Sequence, residues 1–193
     1  MAANLLQDGA TAVVRSNNEG ETMSDKILIG YATAAGSTGE IAEAIGQTLR
    51  DAGAAVDVRP AKDVADVSGY RAVIVGSGVR AMRPYKEAVT FVERHQQALS
   101  QMPVAYFVVC MTMEEDTEEN RRSARAYLEP LHQAGPRVQP VDEGLFGGVL
   151  DYSKLPLPMR LIVKAMRKPE GDYRDWESIQ TWTTNLHSTL SGV

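Results

Sequence analysis

The sequence contains one cysteine, Cys110, among its 193 residues. A single thiol forms no intramolecular disulfide and no cysteine-based metal cluster. Histidine is also rare, and its three positions lie too far apart for the closely spaced pairs typical of histidine metal sites: His95, His132 and His187. We therefore expect a reduced, metal-free protein of the cytoplasm that needs only its apolar core for stability.

Positive charge and long apolar runs are scarce as well. Lys and Arg number 20 against 25 Asp and Glu, which gives a net charge of −5, whereas nucleic-acid binding needs a basic surface. No apolar run approaches the roughly 18 residues of a membrane span. Residues 1–24 lack the basic start and apolar stretch of a secretory signal. We expect a flexible arm over residues 1–24 and one domain over residues 25–190.

What the sequence does contain is an alternation of strand-like and helix-like segments. Apolar, β-branched runs predict strands at 26–32, 54–61, 70–79, 103–111 and 138–150. Helical patterns lie between and after them, at 40–53, 85–99, 118–135 (with Pro130 expected to interrupt it), 157–168 and 175–190. This alternation is typical of a doubly wound parallel sheet, in which ligands bind at the carboxyl ends of the strands.

The first strand–helix loop, Thr33 to Thr38, consists of small and hydroxylated residues without lysine or arginine. The following helix start offers N–H groups and partial positive charge, so the loop suits a terminal phosphate held by neutral donors. Residues 37–40 match a capping box, in which Ser37 caps the helix and Glu40 reaches back. An ordinary capped helix start is the alternative interpretation. Nucleoside triphosphate hydrolysis is disfavoured, since the lysine of G-x-x-x-x-G-K-[ST] is missing.

A second segment, Gly76 to Ala81, fits the dinucleotide-binding pattern G-x-G-x-x-[GA] after a strand. In that motif the helix opens inside the pattern, whereas here the next helical pattern begins near Tyr85. The segment also follows the third predicted strand and not the first. We therefore disfavour NAD binding at these glycines.

The stretch from Tyr31 to Ile45 resembles the FMN-phosphate signature of flavodoxins. The residues at the signature positions are Tyr31, Thr33, Gly36, Thr38, Ala42 and Ile45. The resemblance implies an FMN-binding, flavodoxin-like α/β fold. That fold has a five-stranded parallel sheet in the order 2-1-3-4-5, with helices on both faces.

The downstream sequence is similar to the flavodoxin-type, menaquinone-dependent protoporphyrinogen dehydrogenases. The shared features are the turn Ser77–Arg80, the pair Gly147-Gly148, a helical excursion with a basic amphipathic helix before the last helix, and the opening Asp175-Trp176 of that helix. This resemblance implies an FMN-dependent oxidoreductase that exchanges electrons with a quinone or redox partner. An electron carrier without its own substrate and, less favoured, a flavin-free binding module remain open.

The resemblance also implies which residues surround the flavin. The expected cofactor-binding residues are Thr33, Ala34, Ala35, Gly36, Ser37, Thr38, Ser77, Gly78, Val79, Arg80, Cys110, Met111, Thr112, Gly147 and Gly148. Arg80 is the catalytic candidate, because a cation beside a reduced, anionic flavin stabilises it; a solvated arginine is the alternative. The second and third loops carry no tryptophan or tyrosine at their centres, and Tyr85 is the nearest. One flavin face left open to substrate favours an enzyme.

The excursion, residues 150–174, is expected to cover the flavin and to determine the partner. Its helix carries apolar Leu161, Ile162, Ala165 and Met166 and basic Arg160, Lys164 and Arg167. Such a helix either packs its apolar face on its own domain or rests on a membrane surface where quinones dissolve, so peripheral membrane contact is an option. The acidic run Glu114–Glu119 serves either a helix N-terminus or a basic partner. The sequence indicates no oligomeric state.

Overall fold

The computed structural model describes residues 25–155, 157–165 and 168–191. The predicted arm over residues 1–24 lies outside this range, and so do Met166 and Arg167 of the excursion helix. Within the described residues no group of His, Cys, Asp and Glu is arranged to hold a metal ion. No helix in the same part of the chain has both the length and the apolar character needed to cross a membrane.

The strands are β1 (Lys26–Ala32), β2 (Ala55–Pro60), β3 (Ala72–Arg80), β4 (Arg83–Pro84), β5 (Val104–Val109), β6 (Pro140–Phe146), β7 (Val149–Leu150) and β8 (Gly171–Asp172). Five of them pair in parallel in the order β2-β1-β3-β5-β6. Short β4 turns back antiparallel on β3, so it does not change the predicted order of the five parallel strands, which is confirmed.

The helices are α1 (Ser37–Asp51), α2 (Lys86–Leu99), α3 (Glu118–Ala126), α4 (Glu129–Ala134), α5 (Leu157–Ala165) and α6 (Trp176–Ser191). Pro130 separates α3 from α4 as predicted, because it sits in the first turn of α4 where its missing N–H is tolerated. Asp175 accepts the Ser178 N–H at 3.0 Å, which caps the start of α6.

The apolar core has two halves, one on each face of the sheet. Along β1, Ile27 and Ile29 pack with residues of α1 and α6, whereas Leu28 packs with residues of α2 and α4. This alternation follows from the two-residue period of a strand. All three side chains are fully buried, and each such burial stabilises the fold by about 1.5–3 kcal/mol. The helices therefore cover both faces and leave the carboxyl edge of the sheet accessible.

After β6 the chain makes the predicted excursion and returns. Strands β7 and β8 pair antiparallel at its base. The Tyr152 hydroxyl donates to the Lys168 carbonyl, and Lys168 forms an ion pair with Glu114 at 2.8 Å. The excursion is thus closed at its base and attached to the loop after β5.

Candidate functional site

A cleft of about 330 Å³ lies at the carboxyl ends of β1, β3 and β5. This volume lies in the range of roughly 300–1,000 Å³ that is typical of small-molecule sites. Its lining includes eleven of the predicted residues: Thr33, Ala34, Ala35, Ser37, Thr38, Gly78, Val79, Arg80, Cys110, Met111 and Gly148. The other lining residues are Ala81, Tyr85, Val109, Val149, Leu150, Lys154, Leu155 and Val163. Three loops distant in sequence therefore meet at one place.

One end of the cleft is formed by residues 33–38, which we call the phosphate loop after the ligand predicted from the sequence. Gly36 has φ 101°, a left-handed conformation that favours glycine, and its N–H donates to Thr33 Oγ1 at 3.0 Å. The predicted capping box is wrong: Gly36 is the N-cap residue, without a side-chain cap, and the Glu40 N–H bonds the Gly36 carbonyl at 3.1 Å. The Ser37 hydroxyl is therefore not used as a cap and lines the cleft.

Thr38 is the buried polar residue of this end, with 2% of its surface exposed. Within the described part of the chain its hydroxyl has no hydrogen-bond partner. A Cβ on Gly78 would lie 2.9 Å from Thr38 Oγ1 and 2.8 Å from the ring of Tyr85. Glycine is therefore favoured at position 78, because the Cβ of any other residue would clash with both the Thr38 hydroxyl and the Tyr85 ring.

The second loop is a hairpin in which Arg80 pairs with Arg83 across Ala81 and Met82. Both central residues have positive φ, 50° and 62°, as a two-residue type I′ turn requires. In non-glycine residues this conformation costs roughly 1–2 kcal/mol each, and such strain is often found at functional sites. The hairpin holds the exposed Arg80 side chain at the cleft.

The glycine pattern at residues 76–81 leads into this hairpin and not into a helix. A Cβ on Gly76 would lie 2.0 Å from the Phe107 ring, so this glycine makes room for a core aromatic. Ser77 fastens the loop, since its hydroxyl donates to the Gly78 carbonyl at 2.8 Å and accepts the Tyr85 N–H at 2.9 Å. Both residues serve the shape of the loop.

The third loop contributes Cys110 and Met111. Cys110 is buried, and this burial raises the pKa of its thiol. The thiol therefore stays protonated near neutral pH, and Cys110 acts as an apolar lining residue and not as a nucleophile. Thr112 does not line the cleft; its hydroxyl lies 3.1 Å from the Tyr127 hydroxyl.

Of the remaining predicted residues, Gly36, Ser77 and Gly147 also lie beside the cleft and not on its lining. A Cβ on Gly147 would lie 2.1 Å from the Tyr173 carbonyl oxygen, so this glycine lets the excursion return close to β6. Sequence reasoning left Tyr85 and Val163 out of the site. Tyr85 was noticed only as the nearest aromatic, and no local pattern marks Val163.

Helix α5 does not present its residues as predicted. Arg160 turns back under its own segment, where its Nη2 donates to the Ser153 and Leu155 carbonyls at 3.2 and 3.3 Å. It therefore supports the excursion and does not belong to a solvent-facing basic surface. Leu161 and Ile162 are 68% and 55% exposed, so of the two alternatives left open by the sequence, packing of these two side chains on the domain is not observed.

A model of the flavodoxin domain family matches residues 28–177. The chain belongs to the flavodoxin domain family. A protoporphyrinogen IX dehydrogenase [quinone] from Leishmania major is 25% identical over 183 residues, covering 86% of this chain and 76% of the relative. One from Escherichia coli (strain K12) is 24% identical over 175 residues, covering 83% and 94%.

Solved structures agree with the fold. An archaeal flavodoxin aligns with a TM-score of 0.54 and 17% identity over 86% of this chain and 99% of its own. A short-chain flavodoxin associated with a bacterial microcompartment aligns with a TM-score of 0.56 and 11% identity, covering 86% and 98%. The flavodoxin-like fold predicted from the sequence is thereby confirmed.

Membership of this family implies FMN as the cofactor, as predicted. The residues present fit such a group. The phosphate loop offers the Ser37 and Thr38 hydroxyls beside the N-terminus of α1, where an anion is favoured. The rest of the lining is mainly apolar and includes Tyr85, Met111 and Val163, which suits a flat aromatic ring system.

Proposed function

We propose that FMN lies in this cleft with its phosphate on residues 33–38, and that the chain is an oxidoreductase passing electrons from a porphyrinogen-type substrate to a quinone. Family membership and the redox relatives support a flavodoxin-type oxidoreductase. The named dehydrogenases support the substrate class and the acceptor. When bound, FMN supplies the redox chemistry by accepting electrons from one molecule and passing them to another.

The observation that carries the proposal is the wall formed by the excursion. Leu155 and Val163 of the excursion line the same cleft as Arg80 of the hairpin. A flavin ring lying against Tyr85 and Met111 would therefore share the cleft with apolar side chains of the excursion. A hydrophobic planar substrate fits such a surface, because apolar walls with few polar groups are typical of small-molecule sites.

Arg80 is the charged group that we place beside the ring. Its guanidinium is fixed in charge and favours the electron-rich state of the cofactor, so it raises the reduction potential. Replacing Arg80 with glutamine lowers the midpoint potential by about 20 mV, the equivalent of roughly 1 kcal/mol for a two-electron couple. Arg83→Gln is the matched control, because Arg83 sits across the same hairpin but does not line the cleft.

The outer surface of α5 supports a membrane-bound acceptor. Leu157, Leu161 and Ile162 are 70%, 68% and 55% exposed, while Val163 of the same helix lines the cleft. An amphipathic helix with exposed aliphatic residues can rest on a lipid surface. We propose that α5 makes peripheral contact with the membrane and brings the cleft close to quinone dissolved there.

The test uses protein reconstituted with FMN in two states: oxidised protein is mixed with protoporphyrinogen and excess quinone, and protein reduced anaerobically by light is mixed with quinone alone. Protoporphyrin fluorescence reports oxidation of protoporphyrinogen, and the visible flavin spectrum reports reoxidation by menadione, with and without liposomes. We expect both reactions, and faster reoxidation when a lipid-dissolved quinone is supplied in liposomes. The proposal would fail if the flavoprotein did not oxidise protoporphyrinogen and its reduced flavin were not reoxidised by quinone. The chain would then be an electron carrier.

A further inference from the structure

Arg174, at the end of the excursion, forms a charge cluster with two acidic residues. Its Nε and Nη2 donate to the Asp172 carboxylate at 2.8 and 2.6 Å. Its Nη1 donates to Glu40 of α1, which is 134 positions away in the sequence. Only 10% of the Arg174 side chain is exposed, so the guanidinium is held in a defined position.

The partner Glu40 lies at the phosphate end of the cleft. It belongs to the first turn of α1, and its Oε1 lies 3.8 Å from the position that a Cβ on Gly36 would take. A carboxylate at this place competes with any phosphate for the favourable field of the helix N-terminus. Two neighbouring anions repel each other unless a cation neutralises one of them.

We propose that Arg174 is a positioning residue for the cofactor: its positive charge, shared between Asp172 and Glu40, weakens the repulsion that Glu40 exerts and thereby keeps the phosphate loop able to hold a phosphate group. The proposal rests on the proposed placement of the FMN phosphate on residues 33–38. It gives the excursion a second task, since the same segment that lines the ring end of the cleft sets the charge at the phosphate end.

The surroundings of Arg174 match this role. Its guanidinium lies 4.5 Å from the centre of the Trp176 ring, which adds a cation–π contact. Hydrogen bonds to Asp172 and Glu40 raise the pKa of Arg174 above its ordinary value, so the group stays charged whenever the protein is folded. Asp172 occupies Nε and Nη2, which leaves Nη1 directed at Glu40.

Three variants, Arg174→Gln, Glu40→Gln and the double variant, test the proposal. Each apoprotein is titrated with FMN and with riboflavin, which has the same ring system but no phosphate. Arg174→Gln should weaken FMN binding about tenfold, equal to ~1.4 kcal/mol, and leave riboflavin binding unchanged. Glu40→Gln should tighten FMN binding, and the double variant should bind FMN like the wild type. The loss of FMN affinity caused by Arg174→Gln should become smaller near 1 M salt, because the Debye length is then only about 3 Å and charges are strongly screened.

Arg121→Gln is the control for loss of an arginine–carboxylate pair, because Arg121 bonds Asp116 in the same two-pronged way away from the cleft. It should bind both flavins normally. If Arg174→Gln weakens FMN and riboflavin equally, or if Glu40→Gln does not restore FMN binding in the double variant, Arg174 only anchors the excursion and the inference is refuted. Equal wild-type affinity for FMN and riboflavin would instead refute the phosphate placement itself.

Discussion

Replacing Thr38 with valine removes one hydroxyl and keeps the branched shape of the side chain. Thr38 is 2% exposed and lies close to Gly78, so valine fills the same space. If the hydroxyl donates to a charged phosphate, its loss reduces the free energy of FMN binding by about 1.5–3 kcal/mol. The dissociation constant for FMN then rises roughly tenfold to hundredfold. The apoprotein should not lose stability, since within the described residues this hydroxyl has no partner to lose.

Quenching of flavin fluorescence on titration of the apoprotein measures the affinity, and thermal unfolding of the apoprotein measures stability. Thr48→Val is the matched control: Thr48 lies on the same helix, outside the cleft, and its hydroxyl donates to the Ala44 carbonyl at 3.1 Å. It should bind FMN normally. If Thr38→Val binds FMN as tightly as the wild type, the phosphate is not held by this loop and the reasoning fails.

Three further predictions concern other parts of the site. Gly78→Ala should lower both FMN affinity and melting temperature, because its Cβ would lie 2.8 Å from the Tyr85 ring; unchanged values in both assays would contradict the cleft geometry. The double variant Leu161→Gln/Ile162→Gln should no longer co-sediment with liposomes but should keep its FMN affinity, since both side chains are exposed. Co-sedimentation equal to that of the wild type would rule out membrane contact through α5. Burial raises the pKa of Cys110, so alkylation should be slow at pH 7 in the folded protein and fast in denaturant, and equal rates would show that the thiol is accessible.

Local patterns in the sequence were enough to predict the order of the strands and helices. Strand and helix periods distinguished the five parallel strands from the helices, because the period records which faces of each segment are buried. Pro130 marked the division between α3 and α4, because its ring and missing N–H act within one helical turn. The hydroxyl-rich loop at residues 33–38 could be recognised for the same reason: its composition and its place before a helix are local properties.

Contacts between distant segments were decided only in the tertiary structure. Glu40 was expected to cap its own helix, yet it pairs with Arg174, which the return of the excursion brings beside α1. Arg160 was grouped with Lys164 and Arg167 as the basic residues of α5, but its Nη2 donates to two carbonyls of the segment before the helix. Long charged side chains have several partners of similar energy, and the choice among them depends on which segments meet. Sequence alone thus determined the fold and pointed to the loop proposed to hold the cofactor phosphate, whereas tertiary packing decided how charge and apolar surface are arranged around that loop.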